Sequence, residues 1–181
     1  MRIRGDKLKR LSEQTGIGAE ELGSAVERTG LSGARAVSAV RNWMAGRDHP
    51  RCKARDIVAL AQALGCEVRD LAKFTCEVNF HRGSDRKARL VVDLIRGRSA
   101  DDALAMLGFA PQRAAVNIRK ALAAAVADAE LADADVGELY VAEALVDGAT
   151  PLKRFQPKDR GRAHAILKRQ SHITVSVQER D

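Results

Sequence analysis

Between Lys153 and Arg169 the chain carries Lys153, Arg154, Lys158, Arg160, Arg162, Lys168 and Arg169 against a single acid, Asp159. Guanidinium and ammonium groups at that density do one kind of chemistry, which is to neutralise phosphates. Acid–base and nucleophilic chemistry find no such constellation. His164 lies inside the charged run, where phosphate contact or solvent is the expected environment, and His172 precedes an apolar strand, where a structural hydrogen bond is the default. Asp101 and Asp102 are adjacent on a predicted helix and diverge by about 100°, unlike paired catalytic carboxylates. Cys52, Cys66 and Cys76 lack CxxC spacing, so they read as thiols of a reducing compartment rather than zinc ligands. The glycines of GIGAEELG follow no strand and fail the context test for a dinucleotide site. Neither an enzyme nor a cofactor or metal site is expected.

The elements that must position these cations are written in the same stretch. Ile173, Val175 and Val177 alternate with Thr174, Ser176 and Gln178, the period of a half-buried strand. Gln156-Pro157-Lys158-Asp159-Arg160-Gly161 supplies a turn. Together they predict a β-hairpin over about 148–172 whose base joins a sheet and whose tip extends beyond it. Roughly ten residues past the sheet, at about 3.3 Å each, reach about 30 Å. Cations on both faces leave no face for packing against protein. A ribbon with no core of its own is marginal in water, so a surrounding polyanion, nucleic acid, is the expected partner.

Lys153-Arg154, then Gly161-Arg162-Ala163, then Ile166-Leu167-Lys168-Arg169-Gln170-Ser171-His172-Ile173-Thr174-Val175 resemble the signature of the L-twenty-two family of large-subunit ribosomal proteins. Arg86-Lys87-Ala88-Arg89-Leu90-Val91-Val92-Asp93-Leu94-Ile95-Arg96-Gly97 resembles that family's first helix. The resemblance covers Val78 to Gln178. It implies rRNA binding in the large subunit, a role in early subunit assembly, and an arm that lines the peptide exit tunnel beside the nascent chain, with a link to macrolide sensitivity. Neighbouring ribosomal proteins are implied partners. The tip departs from the family pattern at Asp159, and Pro151 is displaced from the family's Gly-Pro.

The rest of this half predicts an α+β domain over 77–181, a small antiparallel sheet with three helices. Glu77 to Phe80 reads as its first strand, with Val78 and Phe80 on one face. Ser84 opens a helix with Leu90, Val91, Leu94 and Ile95 as its stripe and Arg82, Arg86, Arg89 and Arg96 on the other side. Lys87 and Arg98 add to that basic surface. Ser99 caps a second helix, and Pro111 is placed at the first position of a long third one. Its small residues face the core, and Arg113, Arg119 and Lys120 sit near its start. LYVAEALV, 139–146, is the strand that pairs with 173–177. The expected phosphate-contacting set is therefore Arg82, Arg86, Lys87, Arg89, Arg96, Arg98, Arg113, Arg119 and Lys120 with the arm's Lys153, Arg154, Lys158, Arg160, Arg162, His164, Lys168, Arg169 and His172.

Residues 1–76 predict a separate all-α domain of five short helices. Asp6 is read as the first cap, Gly30 as the end of the second helix, Ser32 as the cap of the third, and Val68 to Phe74 as the fifth. Val40 to Arg47 with Pro50, and Asp56 to Gly65 with Val68 and Asp70-Leu71, resemble the helix-turn-helix domains of Cro and phage repressors. Val26 to Gly33 is longer than that family's turn. If the domain reads nucleic acid, the candidates are Ser32, Arg35, Ser38 and Arg41. The competing reading of the whole chain is a protein that also binds DNA as a transcriptional autoregulator.

Net charge is +7 with a pI near 9.7. No apolar run approaches the ~20 residues a membrane span needs, and the basic N-terminus has no apolar stretch behind it. The expected location is the cytoplasm, on the ribosome. Asp128, Glu130, Asp133, Asp135, Glu138, Glu143 and Asp147 form an acidic stretch without Lys or Arg, turned away from any anionic partner.

Overall fold

A computed structural model describes residues 1–180. The elements are β1 (Arg2–Ile3), α1 (Gly5–Thr15), α2 (Ala19–Ala25), α3 (Ala34–Met44), α4 (Ala54–Leu64), α5 (Val68–Leu71), β2 (Ala72–His81), α6 (Asp85–Ile95), α7 (Ala100–Phe109), α8 (Arg113–Glu130), β3 (Leu139–Pro157) and β4 (Ala163–Glu179). The fold is α+β. The chain separates into a unit of Met1–Phe74 with Leu131–Ala134 and a second unit holding Thr75–Glu130 and the chain from Asp135 onward.

In the first unit, apolar residues at helical spacing meet around Trp43. Leu8, Leu22, Ala36, Ala39, Val40, Ile57, Leu60 and Leu71 are buried with it, and its indole Nε1 donates to Pro50 O at 2.7 Å, satisfying the one polar atom of the ring. Gly5 permits the closest approach: a Cβ there would lie 2.1 Å from Trp43 O. Asp56 is buried, and accepts from Lys53 N at 2.9 Å and from the Arg28 guanidinium at 3.2 Å. α4 stops at Gly65, whose φ of 66° is the left-handed conformation that ends helices.

Several local expectations are corrected. Asp6 lies inside the first turn of α1, and Arg4 precedes the helix. α2 ends at Ala25, five residues before Gly30. In the segment that follows, Arg28 and Leu31 exchange both backbone hydrogen bonds at 2.8 Å, a tight turn in place of helix. Gly33, not Ser32, caps α3. The unit is not all-α. α5 ends at Leu71, and Ala72-Lys73-Phe74 is strand, paired antiparallel with β1 through Arg2↔Lys73 and Ile3↔Ala72. The reason lies in the period: Ala72 and Phe74 are buried while Lys73 and Thr75 are not, an alternation of two that a helix cannot use.

In the second unit the strands lie in the order β2-β4-β3, with β4 central. β3 and β4 are antiparallel, with Val141↔Val177, Ala144↔Val175 and Val146↔Ile173 in register. These six side chains are buried. α8 packs on β4 and α6 on β3. α8 contributes Ala114, Ala115, Ile118, Ala121, Leu122, Ala125, Val126 and Ala129, mostly small residues that let a helix lie close to a sheet. Ser99 Oγ accepts from Asp102 N at 3.2 Å, capping α7.

Three expectations change here. The buried stripe of α6 is Ala88, Val91, Val92 and Ile95, while Leu90 and Leu94 are exposed; spacing of i, i+3, i+4, i+7 faces the sheet through Ala88, which a longer side chain would hold away. α8 begins at Arg113, so Pro111 stands before the helix rather than at its first position. Phe80 does not face the core with Val78. It is exposed with φ 55°, a twist that turns its ring edge-on to His172 at 4.8 Å between centroids.

Candidate nucleic-acid interface

The β3–β4 ladder continues beyond the buried sheet as a ribbon from Ala149↔Gln170 to Pro157↔Ala163. Between Ala149 and Leu152 the register shifts by one residue. Thr150 and Pro151 make a bulge there, where proline's missing N–H costs no ladder bond. Past it, Leu152↔Lys168, Arg154↔Ile166 and Gln156↔His164 share one face, and Lys153↔Leu167, Phe155↔Ala165 and Pro157↔Ala163 share the other. At the tip Lys158 N donates to Arg162 O at 2.7 Å, with Arg160 and Gly161 at φ 52° and 73°.

The register corrects the expectation that no face is left for packing. Cations do appear on both sides, but Phe155, Pro157, Ala163, Ala165 and Leu167 make one face largely apolar, flanked by Lys153. Phe155 is 75% and Leu167 57% exposed. Alternation across a turn of known register carried this signal in the sequence.

At the foot of the arm the sequence-separated cations converge. The loop from β2 to α6, the start of α8 and the base of the ribbon enclose a groove. One part of about 600 Å³ is lined by Arg82, Gly83, Ser84, Arg113, Leu152, Arg154, Leu167, Lys168, Arg169 and Gln170. An adjoining part of about 480 Å³ adds His81, Lys87, Leu90, Gln112 and Ala114. Arg82, Lys87, Arg113 and Lys168 make no ion pair among the described residues. Asp85 stands 3.8 Å from Arg169 and 3.9 Å from Arg89. The Ser84 hydroxyl caps nothing in α6. The N-termini of α6 and α8 therefore add backbone N–H groups and positive dipole ends to an uncompensated cluster of cations. Lys120 follows Arg113 two turns along the same face of α8.

His81 forms the groove's buried edge. Its Nδ1 lies 2.7 Å from the Asn117 carboxamide, and burial together with the nearby Arg113 charge lowers its pKa from the ordinary imidazole value. Gly83 must be glycine for this ring: a Cβ there would stand 2.6 Å from His81 Nε2. His81, Gly83, Ser84, Gln112 and Gln170 were not among the expected site residues. None carries a charge, and only the fold brings them beside the cations.

Other expected residues are tied into the protein. Arg89 Nε donates to Val146 O at 3.3 Å, and the Arg96 guanidinium to Ala144 O at 2.7 Å while pairing with Asp93 at 3.0 Å. Two turns apart along α6, they fasten the helix to β3. Arg98 Nε donates to Leu94 O at 2.9 Å and closes the end of α6. These three arginines are exposed and each also holds a main-chain carbonyl of the protein. His172 Nδ1 accepts from Phe80 N at 3.4 Å. The Arg119 guanidinium stands beside Gly108 in the last turn of α7. Arg86 is exposed but does not line the groove.

In the first unit, Ser32, Arg35, Ser38 and Arg41 are all exposed. Arg35 and Ser38 line a separate groove of about 440 Å³ with Arg28, Asn42 and His49, whereas Arg41 is turned toward Glu20 at 3.8 Å. The cysteine thiols are all raised in pKa, chiefly by burial, which makes them poor nucleophiles. Among the described residues no three His, Cys, Asp or Glu side chains form a group able to hold a metal ion, and no helix is long and apolar enough to cross a membrane.

The interface falls within the part of the chain that has known relatives. The family model described as Ribosomal protein L22p/L17e matches residues 77–178. The large ribosomal subunit protein uL22 of Clostridium novyi (strain NT) is 44% identical over 115 residues, covering 63% of this chain and 98% of the relative. The matched residues contain β2 from Glu77, helices α6 to α8, the whole arm and the groove at its foot, and on that match the chain belongs to the ribosomal protein L22p/L17e family.

Proposed function

We propose that this protein is a structural constituent of the large ribosomal subunit in the cytoplasm, where it binds rRNA through the groove and the arm. Family membership supports the ribosomal role. The observation that carries rRNA binding is the groove itself, where Arg82, Lys87, Arg113 and Lys168 converge without counter-ions. Such an arrangement is costly in isolation and favourable once a phosphate backbone threads it, with release of condensed counterions as the driving term.

The mechanism is scaffolding. Helices α6 and α8 fix one wall, the ribbon supplies the other, and strands of rRNA brought together there are held during subunit assembly. The polar face of the arm, with Arg154, His164 and Lys168, takes phosphate. The tip lines the exit tunnel beside the nascent peptide, and neighbouring ribosomal proteins complete the surroundings. We read residues 1–76 as a distinct helix-turn-helix-like module carried by the 77–181 domain.

The test is binding of the full chain to large-subunit rRNA at rising salt, comparing wild type with the Arg82→Ala/Lys168→Ala double variant. Loss of two phosphate contacts lowers the slope of log affinity against log salt by about 1.5 units, with the fold intact by circular dichroism. An unchanged slope and affinity would overturn the groove as the rRNA site.

A further inference from the structure

The charge of the first unit is unevenly spread. Residues 26–55 hold seven cationic side chains and two carboxylates, while the other residues up to Phe74 hold seven of each. The whole excess thus belongs to the turn before α3, α3 itself and the segment leading to α4. Both carboxylates of that stretch are occupied locally: Glu27 Oε1 accepts from Gly33 N at 2.7 Å, and Asp48 Oδ1 from Cys52 N at 2.8 Å.

Arg41 pairs with Glu20 and Arg55 with Asp56, each at 3.8 Å, and Arg51 is engaged within the chain, so the open arginines of this stretch are Arg35 and Arg47. Arg28 is the buttress, held by Asp56 and by a 3.3 Å hydrogen bond to Arg51 O. Arg35 and Arg47 are exposed, and neither side chain has a hydrogen-bond or ion-pair partner among the described residues. Arg35 rims the 440 Å³ groove bounded by the Arg28–Leu31 turn, one face of α3 and the His49–Pro50 segment. Ser38 and Asn42 lie along the same face. Asn42 Nδ2 donates to His49 O at 3.0 Å, which ties this lining residue to the His49–Pro50 wall.

Protein docking and nucleic-acid binding make different demands on such a surface. A protein interface needs buried apolar or aromatic anchors at its centre. No large apolar side chain within residues 26–55 is exposed. Exposed arginines, hydroxyls and a carboxamide around a concave surface are instead the donors and acceptors that take phosphate, ribose and base edges.

We infer that the α3 groove of the first unit is a second RNA-binding surface, engaging the phosphate backbone of a structured RNA through Arg35 at its rim, with Ser38 and Asn42 beside the ribose and base edges and Arg47, exposed in the turn that follows α3, as a further phosphate contact outside the groove. That the polyanion is RNA rests on the rRNA reading of the second unit. Binding there holds the first unit at high effective concentration near the same RNA, so that two modest surfaces act as one bivalent contact.

The experiment uses the full chain on large-subunit rRNA and on duplex DNA of mixed sequence, each across a salt series. The Arg35→Glu/Arg47→Glu variant is compared with Arg82→Glu/Lys168→Glu and with wild type, all checked for unchanged thermal unfolding. On rRNA the first variant is expected to lose about 1.5 log units of salt slope, the equivalent of two phosphate contacts, and to lose one region of backbone protection while keeping that of the second unit. Wild-type slope, affinity and protection in that variant would overturn the proposal, even when the Arg82/Lys168 variant loses binding and so upholds the groove in the second unit. A loss seen on DNA but not on rRNA would equally overturn it, assigning the surface to a different nucleic acid.

Discussion

The β3–β4 ladder is one structure with two regimes. From Leu139 to Ala149 one side of the ladder faces a core, and Val141, Val146, Ile173 and Val175 are buried beneath α6 and α8. From Leu152 to Pro157 the same antiparallel pairing continues, residue opposite residue, but none of its side chains is buried, and Phe155 and Leu167 are open to solvent. Ladder hydrogen bonds exchange water for protein partners at little net gain. They give both halves their shape, but only burial gives the lower half its stability. The upper half has the form of a sheet without the energy of one, which a ligand must supply.

The widest separation between the halves should come from deleting one aliphatic side chain in each. Ile173→Ala removes a fully buried side chain from β4 and is expected to cost about 2–5 kcal/mol in urea denaturation. Leu167→Ala, six residues earlier on the same strand, should stay within about 0.5 kcal/mol. Similar costs would mean that the arm is stabilised by its own packing after all.

A smaller effect is expected where the two regimes meet. Gly83→Ala places a Cβ 2.6 Å from His81 Nε2, and the ring cannot simply swing aside because Asn117 holds its other nitrogen. Displacing it should cost about 1–3 kcal/mol and move Arg82 with it. Denaturation and rRNA affinity should therefore both suffer in this variant, whereas the arm's Lys168→Ala should change affinity alone. A Gly83→Ala protein with normal stability and normal binding would show that the groove's edge is not fixed by this contact.

How much of this could be read from the chain follows from the kind of signal. The ladder was legible because alternation and a Pro-Asp-Gly turn are local, and so was the small-residue face of α8. The division of the cations was not. Arg86, Arg89 and Arg96 look alike in sequence, yet Arg89 and Arg96 end on the carbonyls of Val146 and Ala144, groups some fifty residues away that only the packing of α6 on β3 brings within reach. Leu90 and Leu94, expected on the buried face, are exposed for the same reason. At the end of the first unit, the expectation of helix extends through Ala72 to Phe74 because three residues are too few to establish a period of two.

That division predicts a pair of variants with opposite signatures. Arg96→Ala removes a 2.7 Å hydrogen bond to a main-chain carbonyl and should destabilise the protein by about 1 kcal/mol, while leaving the salt slope of rRNA binding nearly unchanged. Lys168→Ala should do the reverse, lowering the slope by about 0.7–0.9. If Arg96→Ala also lowers the slope by a full contact, the arginine serves RNA and protein together, and sorting the cations by hydrogen-bond partner fails.

The smallest effect is one of pH, and it probes the same junction. His81 closes β2 at the edge of the groove, buried against Asn117 with the Arg113 charge beside it, and burial first and Arg113 second hold its pKa below the ordinary value. In the unfolded chain the imidazole titrates near about 6.5. As pH falls below that, the unfolded state takes up a proton before the folded state can, so the stabilisation present above about pH 6.5 is progressively lost. His81→Gln, which cannot titrate, should flatten this part of the stability profile between neutral and mildly acidic pH. A polyanion seated in the groove opposes Arg113 and should lift the imidazole pKa back toward its ordinary value, which an imidazole NMR titration of the full chain, free and rRNA-bound, would follow. An unmoved His81 titration on binding would place the RNA away from this end of the groove and confine it to the ribbon side.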